Sequence, residues 1–376
     1  MLNLSDHIAK SIIQKLADSA DIRINGNRPW DIQVKDERCY KRILYHQSLG
    51  LGESYMDRWF ECERLDEFII HILRARIEKN IREGWRKPFF SFQEILVGLK
   101  SLTRAFRVGE AHYDMGNEFF EKMLDRRMTY TCGYWKNAKI LDDAQEAKLE
   151  LVCKKLGIQP GMKVLDIGCG WGSFARYAAE RYDVEVVGIT VSKEQADLAK
   201  QLCKGLSVEI RLQDYRDLKG SFDRVVSLGM FEHVCHLNYR SYMKVVHQNL
   251  KKHGLFLLHT IGNNGETAGI DSWISKYIFP NSMLPYITHI GRAIDGLFIM
   301  EDWHNFGSDY DKTLMAWHHN FEASKDLWIE KHGDRFYRMW KYFLLICAGT
   351  FRARELQLWQ IVLSKDGVPG GYPSFR

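Results

Sequence analysis

The sequence predicts a doubly wound α/β fold preceded by a smaller helical domain. A buried strand, predicted by Val164, Leu165 and Ile167 around one acid, runs into the glycine-rich turn Gly168-Cys-Gly-Trp-Gly172 and then into a helix. Six more strand patterns follow, beginning near Val184, Val208, Phe222, Gly254, Phe298 and Leu358. Helical patterns separate the earlier ones, and strands that alternate with helices in this way form a parallel sheet covered on both faces.

The glycine turn predicts a nucleoside-like ligand that approaches the main chain. Strand, glycine turn and helix form the nucleotide-binding unit of doubly wound folds, whose ligands lie at the carboxyl ends of the strands. Here the spacing is Asp-x-Gly-x-Gly-x-Gly, with Asp166 at the end of the strand. Because an acid at the turn would repel a phosphate, we predict S-adenosylmethionine and a class I methyltransferase fold with a Rossmann-like seven-stranded sheet.

Three segments are predicted along the chain. They are a small α-rich domain over 1–80, a basic amphipathic linker over 81–107 and a catalytic domain over 108–376. The linker interleaves Lys and Arg with aromatic and aliphatic residues. It either lies on an anionic membrane surface or packs its apolar face on the catalytic domain.

The α-rich domain carries no visible catalytic motif. Helices are expected at 5–18, 37–47 and 65–78, with a turn over 49–55 between the last two. Alternation on both sides of Asn25-Gly26 predicts a hairpin-like pair of strands.

Composition narrows the possible partners and compartments. The net charge of +5 is mild and does not indicate nucleic acid. The eight cysteines form no Cys-x-x-Cys pair, which argues against a zinc site and a disulfide framework, so we predict no metal. No run of about 20 apolar residues and no signal-peptide pattern is present, so we expect a cytoplasmic protein.

Polar residues at the second and third strand ends suit the nucleoside part of a cofactor. Thr190 stands where an acid usually bonds the ribose, and it could act with Gln195 through neutral hydrogen bonds; alternatively, it merely ends the strand. Ser192 to Gln195 predicts a capping box that starts the next helix. Asp214 and Tyr215 fit the adenine edge.

Two ionisable residues end neighbouring strands and are candidates for chemistry. Glu232 and His259 should face one cavity beside the cofactor, which favours a functional role over a helix cap or core hydrogen bond. His233 could play either part. Cys132 and Cys347 have no basic neighbour in sequence, so on residues alone they are expected to be buried and inert.

Several ordered motifs across nearly the whole chain resemble those of the cyclopropane-fatty-acyl-phospholipid synthase family. They are His112-Tyr-Asp-Met-Gly-Asn117, Tyr130-Thr-Cys-Gly-Tyr-Trp135, Val164-Leu-Asp-Ile-Gly-Cys-Gly-Trp-Gly172, Gly229-Met-Phe-Glu-His233, His259-Thr-Ile-Gly262, Tyr277-Ile-Phe-Pro-Asn281 and Cys347-Ala-Gly-Thr-Phe-Arg-Ala-Arg354. The resemblance implies methylene transfer from S-adenosylmethionine to the cis double bond of a phospholipid acyl chain. It also implies a homodimer that associates peripherally with the inner membrane surface and acts on a phospholipid bilayer.

The resemblance further implies a bicarbonate ion in the active site. The family's ligands for it fall on Cys132, Glu232, His259, the backbone of Ile261, and Tyr310, and a further active-site cysteine falls on Cys347. Two departures stand out. Arg126 replaces a frequent Pro, and Cys235-His236 replaces a Gly-containing pair, which leaves the lipid preference open.

The predicted cofactor contacts come from the second and third motifs and from the strand ends. They are Tyr130, Thr131, Asp166, Gly168, Cys169, Gly170, Gly172, Thr190, Ser192, Gln195, Asp214 and Tyr215. The aromatic segment 263–297 is the expected wall of an acyl-chain cavity.

Other functions stay open at this point. A methyltransferase of the same superfamily could leave a methyl branch on the lipid, or methylate an amine of a small molecule. From a different class, a lipid-binding regulator could retain an inactive cofactor site.

Overall fold

The chain folds into two compact units, each described here by itself. The computed structural model describes residues 5–76, 115–265, 270–280 and 282–376. The first unit comprises the described residues within Met1–Phe92, Ile270–Pro280 and Leu314–Leu356, and the second comprises those within Gln93–Gly269, Asn281–Thr313 and Gln357–Arg376.

The helices and strands of the described residues are numbered in chain order. They are α1 (Asp6–Ser19), β1 (Gln33–Val34), α2 (Arg38–Met56), β2 (Phe60–Glu61), α3 (Leu65–Arg74), α4 (Asn117–Met123), α5 (Leu141–Leu156), β3 (Lys163–Ile167), α6 (Ser173–Tyr182), β4 (Glu185–Thr190), α7 (Lys193–Leu202), β5 (Val208–Leu212), β6 (Phe222–Leu228), α8 (Tyr239–Asn249), β7 (Leu250–Asn263), α9 (Ser272–Tyr277), α10 (Ile287–Ile294), β8 (Ile299–Asn305), α11 (Ser308–Ala323), α12 (Lys325–His332), α13 (Asp334–Arg352) and β9 (Leu356–Ser364).

The first unit combines the N-terminal helices with helices from far along the chain. Helix α13 packs on α3 so closely that a Cβ at Gly349 would lie 2.4 Å from the backbone oxygen of Asp66. Arg352 binds the buried Asp66 carboxylate at 2.8 Å. The unit therefore includes α9, α12, α13 and most of α11, which sequence analysis assigned to the catalytic domain.

Two local predictions for the first unit are wrong. Residues 22–32 form a loop, with a single parallel bridge between Ile24 and Ile32, and β1, which follows the loop, pairs with β2 instead. The buried Asp31 closes this loop by accepting hydrogen bonds from the backbone amides of Arg23 and Arg28. These bonds replace the ladder that a hairpin would need.

The turn predicted over 49–55 is helical, because α2 runs from Arg38 to Met56 across a kink at Gln47. Its two glycines serve close packing. A Cβ at Gly50 would lie 2.1 Å from the Arg42 carbonyl oxygen, and one at Gly52 would lie 2.3 Å from the Trp273 ring. Glycines that are chosen for close approach look like turn glycines in a sequence.

The second unit is built on the predicted seven-stranded sheet, in the order β5-β4-β3-β6-β7-β9-β8. Strands β3 to β7 pair in parallel, and β8 pairs with β9 antiparallel. The register sets His259 on β7 opposite Leu228, the last residue of β6. This register brings the carboxyl end of β6 beside the middle of β7.

Alternate residues of the strands enter two separate cores. Leu165, Val225 and Phe256 lie in one, packed with side chains of α8 and α10. Val164 and Val226 lie in the other, packed with α5 and α6. Helices thus cover both faces of the sheet, as a doubly wound fold requires.

The predicted linker at 81–107 lies outside the described residues. Within the described part of the chain, no helix has both the length and the apolar character needed to cross a membrane.

Candidate active site

The glycine turn after β3 has the open backbone that the sequence predicts. Gly168, Gly170 and Gly172 all have positive φ, at +81°, +55° and +79°. The amides of Gly168 and Cys169 donate to the Ile189 carbonyl at the end of β4, at 2.9 and 3.0 Å. A Cβ at Gly170 would meet no atom within 4 Å, so this part of the turn is accessible to a ligand.

Asp166 is buried at the base of the turn, with 2% of its surface exposed. Burial raises its pKa to about 7, and the positive charge of Lys148 opposes this rise. Lys148 is itself fully buried on α5 and donates to the Thr131 hydroxyl at 2.7 Å. The buried Lys148 ammonium therefore interacts electrostatically with Asp166 at the turn and hydrogen-bonds to Thr131 in the segment that precedes α5.

The polar residues at the end of β4 bind one another. The Thr190 hydroxyl donates to Gln195 Oε1 at 2.9 Å and accepts from the Ser192 amide at 3.2 Å. The Ser192 hydroxyl accepts from the Gln195 amide at 3.3 Å, which is the predicted helix cap. All three side chains are at least nine-tenths buried.

Asp214 follows β5 and lies on the same sheet edge. Both of its carboxylate oxygens accept hydrogen bonds from Arg216, at 2.8 and 2.6 Å. These bonds hold the pKa of Asp214 below its usual range, although burial opposes them. Tyr215 packs its ring against Tyr242, with centroids 5.0 Å apart.

An aromatic group joins the segment 117–130 to the glycine turn. Phe120 lies between Trp171 and Tyr130, with ring centroids 4.8 and 5.4 Å from its own. The Trp171 indole donates to Asn117 Oδ1 at 2.9 Å. The predicted cofactor residue Tyr130 is thereby held on the side of the turn.

Glu232 reaches from the end of β6 to β7. Its Oε1 accepts the backbone amide of Ile261 at 2.7 Å, two residues beyond His259. Its Oε2 is buried and has no partner among the described residues. Burial raises the pKa of this carboxyl to about 7, although the Ile261 amide and the Thr260 side chain oppose the rise. Because the Ile261 amide already has an acceptor, an anion bound there would have to share or replace that bond.

His259 is almost completely buried, with 1% of its surface exposed. Its Nδ1 lies 3.3 Å from Nε2 of Gln360 on β9. Its Nε2 is buried and has no partner among the described residues. Burial, together with the charges of Lys148 and Lys155, holds the pKa of the imidazole well below its usual range, so the ring is neutral.

Cys132 and Tyr310 are linked through the first turns of α11. The Cys132 thiol lies 3.8 Å from the Thr313 hydroxyl, and that hydroxyl accepts the Gly133 amide at 3.1 Å. Tyr310 is three residues before Thr313, so both lie on one face of the helix. Burial raises the pKa of the Cys132 thiol well above its usual range, which leaves it a weak donor rather than a thiolate.

Two further candidates have different surroundings. His233 is exposed, and its Nδ1 lies 3.3 Å from the Ser282 hydroxyl. Cys347 lies on α13 in the first unit, where burial and the charge of Asp271 raise its pKa to about 12. Its predicted catalytic role stays a prediction.

The residues 100–361 match a sequence profile of the family described as mycolic acid cyclopropane synthetase. The chain belongs to this family. Over 360 residues it is 52% identical to the cyclopropane-fatty-acyl-phospholipid synthase of Escherichia coli strain K12, which covers 96% of this chain and 94% of that protein. The predicted family resemblance is thereby confirmed.

Two solved structures of the family are similar to this one. The cyclopropane synthase MmaA2 from Mycobacterium tuberculosis is 31% identical, with a TM-score of 0.66 over 69% of this chain and 98% of that one. The mycolic acid cyclopropane synthase CmaA1, complexed with SAH and CTAB, is 33% identical, with a TM-score of 0.64 over the same shares. The predicted class I methyltransferase fold is confirmed, and the chain is an S-adenosylmethionine-dependent enzyme.

Three residues of the site were missed from the sequence. Lys148 falls on the apolar face of α5 with Ala144 and Val152, and a lone lysine there was a usable signal. Gln360 was equally visible as an amide between the apolar residues Trp359 and Ile361 of a predicted strand. Thr313 carried no signal, since its role depends on the approach of a segment 180 residues away.

Proposed function

We propose that this enzyme adds a methylene group from S-adenosylmethionine across the cis double bond of an unsaturated phospholipid acyl chain and so forms a cyclopropane ring. Bicarbonate, held by Glu232 and His259, accepts the proton that must be lost. Beyond family membership, we therefore assign a phospholipid substrate, a cyclopropane product and a bound bicarbonate ion.

One observation carries the assignment of the anion. Glu232 Oε2 and His259 Nε2 are buried polar atoms that have no partner among the described residues, and both lie along the β6–β7 edge. Buried polar atoms without partners are rare and costly, so they indicate a missing ligand. An acceptor beside a neutral ring suits an anion that carries both a hydroxyl and charged oxygens, as bicarbonate does.

The turn after β3 fits S-adenosylmethionine. The open backbone at Gly170 admits the ligand, and Asp166 supplies an acid near a cationic group. Tyr130 and the polar side chains at the end of β4 stand around it as the proposed further contacts. With Asp214 already bound to Arg216, its proposed bond to the adenine would use a remaining lone pair.

When bound, S-adenosylmethionine supplies the methyl group that becomes the ring carbon, and bicarbonate supplies the base. The π electrons of the alkene form the new carbon–carbon bond as the carbon–sulfur bond breaks, leaving a cation on the acyl chain. Loss of a proton from the new methyl group then lets its electron pair close the ring.

The protein's own residues orient the participants and limit side reactions. Glu232 accepts a hydrogen bond from the anion through Oε2, and His259 donates through Nε2. Tyr310 and the Cys132 thiol complete the proposed set. A carboxylate touching the cation could trap it as an ester. Glu232 is therefore proposed to act through a diffusible base, with its Oε1 held by the Ile261 amide.

The proposed partners follow from the substrate. A bilayer of unsaturated phospholipids supplies the acyl chain, and the enzyme is proposed to be a cytoplasmic homodimer associated with the inner membrane surface. Segment 263–297 remains the proposed wall of the acyl cavity, although Trp273 within it packs against Gly52 and Tyr342 of the first unit.

The test is mass spectrometry of phospholipid acyl chains after incubation of the full chain with S-adenosylmethionine and unsaturated vesicles. The expected product gains the mass of one CH₂ group and resists hydrogenation, since a ring has no double bond left. A methyl or methylene branch that still takes up hydrogen would contradict cyclopropanation and favour the branching alternative.

Glu232→Gln should reduce turnover by about 100-fold or more while S-adenosylmethionine binding persists. The matched control is Glu150→Gln, a carboxylate on α5 that accepts from Tyr177 and Tyr182. If Glu232→Gln turns over as fast as the Glu150→Gln control, Glu232 has no part in the mechanism. If bicarbonate does not stimulate turnover of the unaltered enzyme, the anion has no part in the mechanism.

A further inference from the structure

Gln360 is an unusual residue for a buried strand that has a neighbour on each side. It is completely buried on β9, between Trp359 and Ile361, which are also buried. Strand β9 lies next to β7 in the sheet order, so a side chain on β9 can reach its neighbour. A buried amide in an apolar strand is costly unless it is hydrogen-bonded.

The bond that it makes is directional. Nε2 of Gln360 lies 3.3 Å from Nδ1 of His259, and an amide nitrogen can only donate. Nδ1 must therefore accept. Because the buried ring beside Lys148 and Lys155 is neutral, it carries a single proton, which then resides on Nε2.

We propose that Gln360 is a positioning residue that keeps the His259 proton on Nε2, where it is available to the bound anion. The proposal rests on the proposed function in one respect, the identity of that anion. With the proton on Nδ1 instead, a lone pair on Nε2 would face the anion and repel it.

The surroundings give His259 no other described partner for Nδ1. The ring packs edge-on against Phe306, with centroids 5.9 Å apart and planes at 65°. Phe306 fixes the ring plane without distinguishing the two nitrogens. The choice of tautomer therefore follows from the orientation of the Gln360 amide, which presents Nε2 to the ring while its Oε1 is buried without a partner among the described residues. Metal-bound and catalytic histidines are oriented in the same way, by the hydrogen bond that the second nitrogen makes.

The first measurement is the tautomer itself, by long-range proton–nitrogen NMR of the full chain labelled with ¹⁵N-histidine. The His259 signals are assigned by their loss in His259→Asn. We expect a proton on Nε2 in the unaltered protein without substrate. A proton on Nδ1 would overturn the proposal, whether or not the enzyme uses bicarbonate.

The second measurement is the bicarbonate concentration that half-saturates turnover. Gln360→Glu keeps the side-chain length but offers an acceptor, so the proton should move to Nδ1 and that concentration should rise by about tenfold or more. Gln360→Met removes the donor without adding a charge and should give a smaller rise with a mixture of tautomers. S-adenosylmethionine affinity should stay unchanged in both.

The matched control is Gln357→Glu, the same change three residues earlier on β9. Gln357 Oε1 accepts from Asn305 and Trp359, and a carboxylate can do the same. Gln357 Nε2 also donates to Asn264 Oδ1, and after the substitution the Asn264 amide must turn to donate instead. The proposal is overturned if both Gln360 variants keep the proton on Nε2, or if their bicarbonate requirement equals that of the control. Absence of any bicarbonate dependence in the unaltered enzyme would count against the proposed function alone.

Discussion

Glu232 is the proposed acceptor for the bound anion, and its burial disfavours the ionised form of its carboxyl. Its carboxyl is 6% exposed, accepts one backbone amide and leaves its second oxygen without a described partner. Burial raises its pKa from 4.5 to about 7, a difference that corresponds to about 3 kcal/mol. Burial of the ionised carboxylate therefore lowers the free energy of unfolding, while it keeps a hydrogen-bond acceptor in a site shielded from water. Such shifts are common at functional sites.

This cost predicts a pH-dependent difference between the unaltered protein and Glu232→Gln. Below about pH 4.5 the carboxyl is protonated in both the folded and unfolded states. Between pH 4.5 and about 7 the unfolded state ionises first, so wild-type stability falls as pH rises. Relative to wild type, the variant should gain up to about 3 kcal/mol across that window.

Urea unfolding of the two proteins at a series of pH values measures this difference. Comparing the variant with wild type cancels the titration of all other groups. A difference in unfolding free energy that stays constant from pH 4.5 to 8 would mean that Glu232 has an ordinary pKa in the folded protein.

The neighbouring charges act together on the remaining residues of the site. Lys148 is close enough to lower the pKa of Asp166 and of His259, and burial lowers its own pKa to about 8. One buried cation thus favours an ionised acid at the glycine turn and a neutral imidazole at the anion site. Both charge states are those that the proposed chemistry requires.

At the scale of the elements, the turn between β3 and α6 depends on Gly168. Its φ of +81° strains any residue with a Cβ, and a Cβ there would lie 2.7 Å from Cγ of Met230. Met230 belongs to the segment between β6 and Glu232. The turn therefore needs glycine for its backbone and for close contact with the next strand end.

Gly168→Ala should weaken S-adenosylmethionine binding by about tenfold or more, because the turn or Met230 must move. Gly205→Ala is the matched control: its φ is +86°, but its Cβ would meet no atom within 4 Å. Both variants should lose about 1–2 kcal/mol of stability from backbone strain.

Calorimetric titration with S-adenosylmethionine distinguishes the two variants, and thermal unfolding checks that their stability losses match. Equal cofactor affinity in the two would show that the contact between Gly168 and Met230 does not shape the cofactor site.

At the scale of the whole molecule, the first unit is assembled from segments distant in the chain. Arg338 on α13 is buried and donates to the carbonyl of Tyr55 at 2.8 Å, while its guanidinium stacks on the Tyr55 ring at 4.0 Å. Trp273 on α9 is fully buried against Gly52. The N-terminal helices and the later helices therefore share one apolar core.

Removal of residues 1–76 should consequently destabilise the chain rather than release an intact catalytic domain. It strips α13 of its partner α3 and leaves Arg338 and Trp273 without their buried contacts. We expect a lower melting temperature and aggregation in size-exclusion chromatography. This predicted loss of folding would confound any test of membrane delivery that relies on truncation.

The control is full-length Arg58→Ala, which removes surface ion pairs with Asp334 and Glu61 and should cost about 1 kcal/mol or less. A truncated chain that melts as cooperatively as this control, at a similar temperature, would show that 1–76 forms a separate domain after all.

The sequence predicted those elements correctly whose structure is decided by residues close to one another in the chain. The strand, glycine turn and helix at 163–182 depend on burial, positive φ and a helix start, which all lie within 20 residues. The Ser192 cap of α7 is decided within four residues, and the strand periodicities predict all seven strands of the sheet. The family motifs extend this prediction to Glu232 and His259.

The same local logic failed in the first unit. Gly50 and Gly52 resemble turn residues, yet they allow a carbonyl and a tryptophan ring to approach α2. Asn25-Gly26 resembles a hairpin turn, yet Asp31 closes a loop there. The groups that decide these structures, such as the Trp273 ring and the Asp31 carboxylate, are not among the residues by which a turn is recognised.

The strands of the sheet, the cofactor turn and the acids at the strand ends were all predictable from the sequence, because each produces a pattern among near neighbours in the chain. Three features emerged from the folded chain alone: which buried atoms lack partners among the described residues, which ring nitrogen of His259 lies beside Gln360, and how Lys148 reaches the site. Those features arise where strands and helices distant in the chain meet inside a low-dielectric core, and no local pattern specifies that meeting.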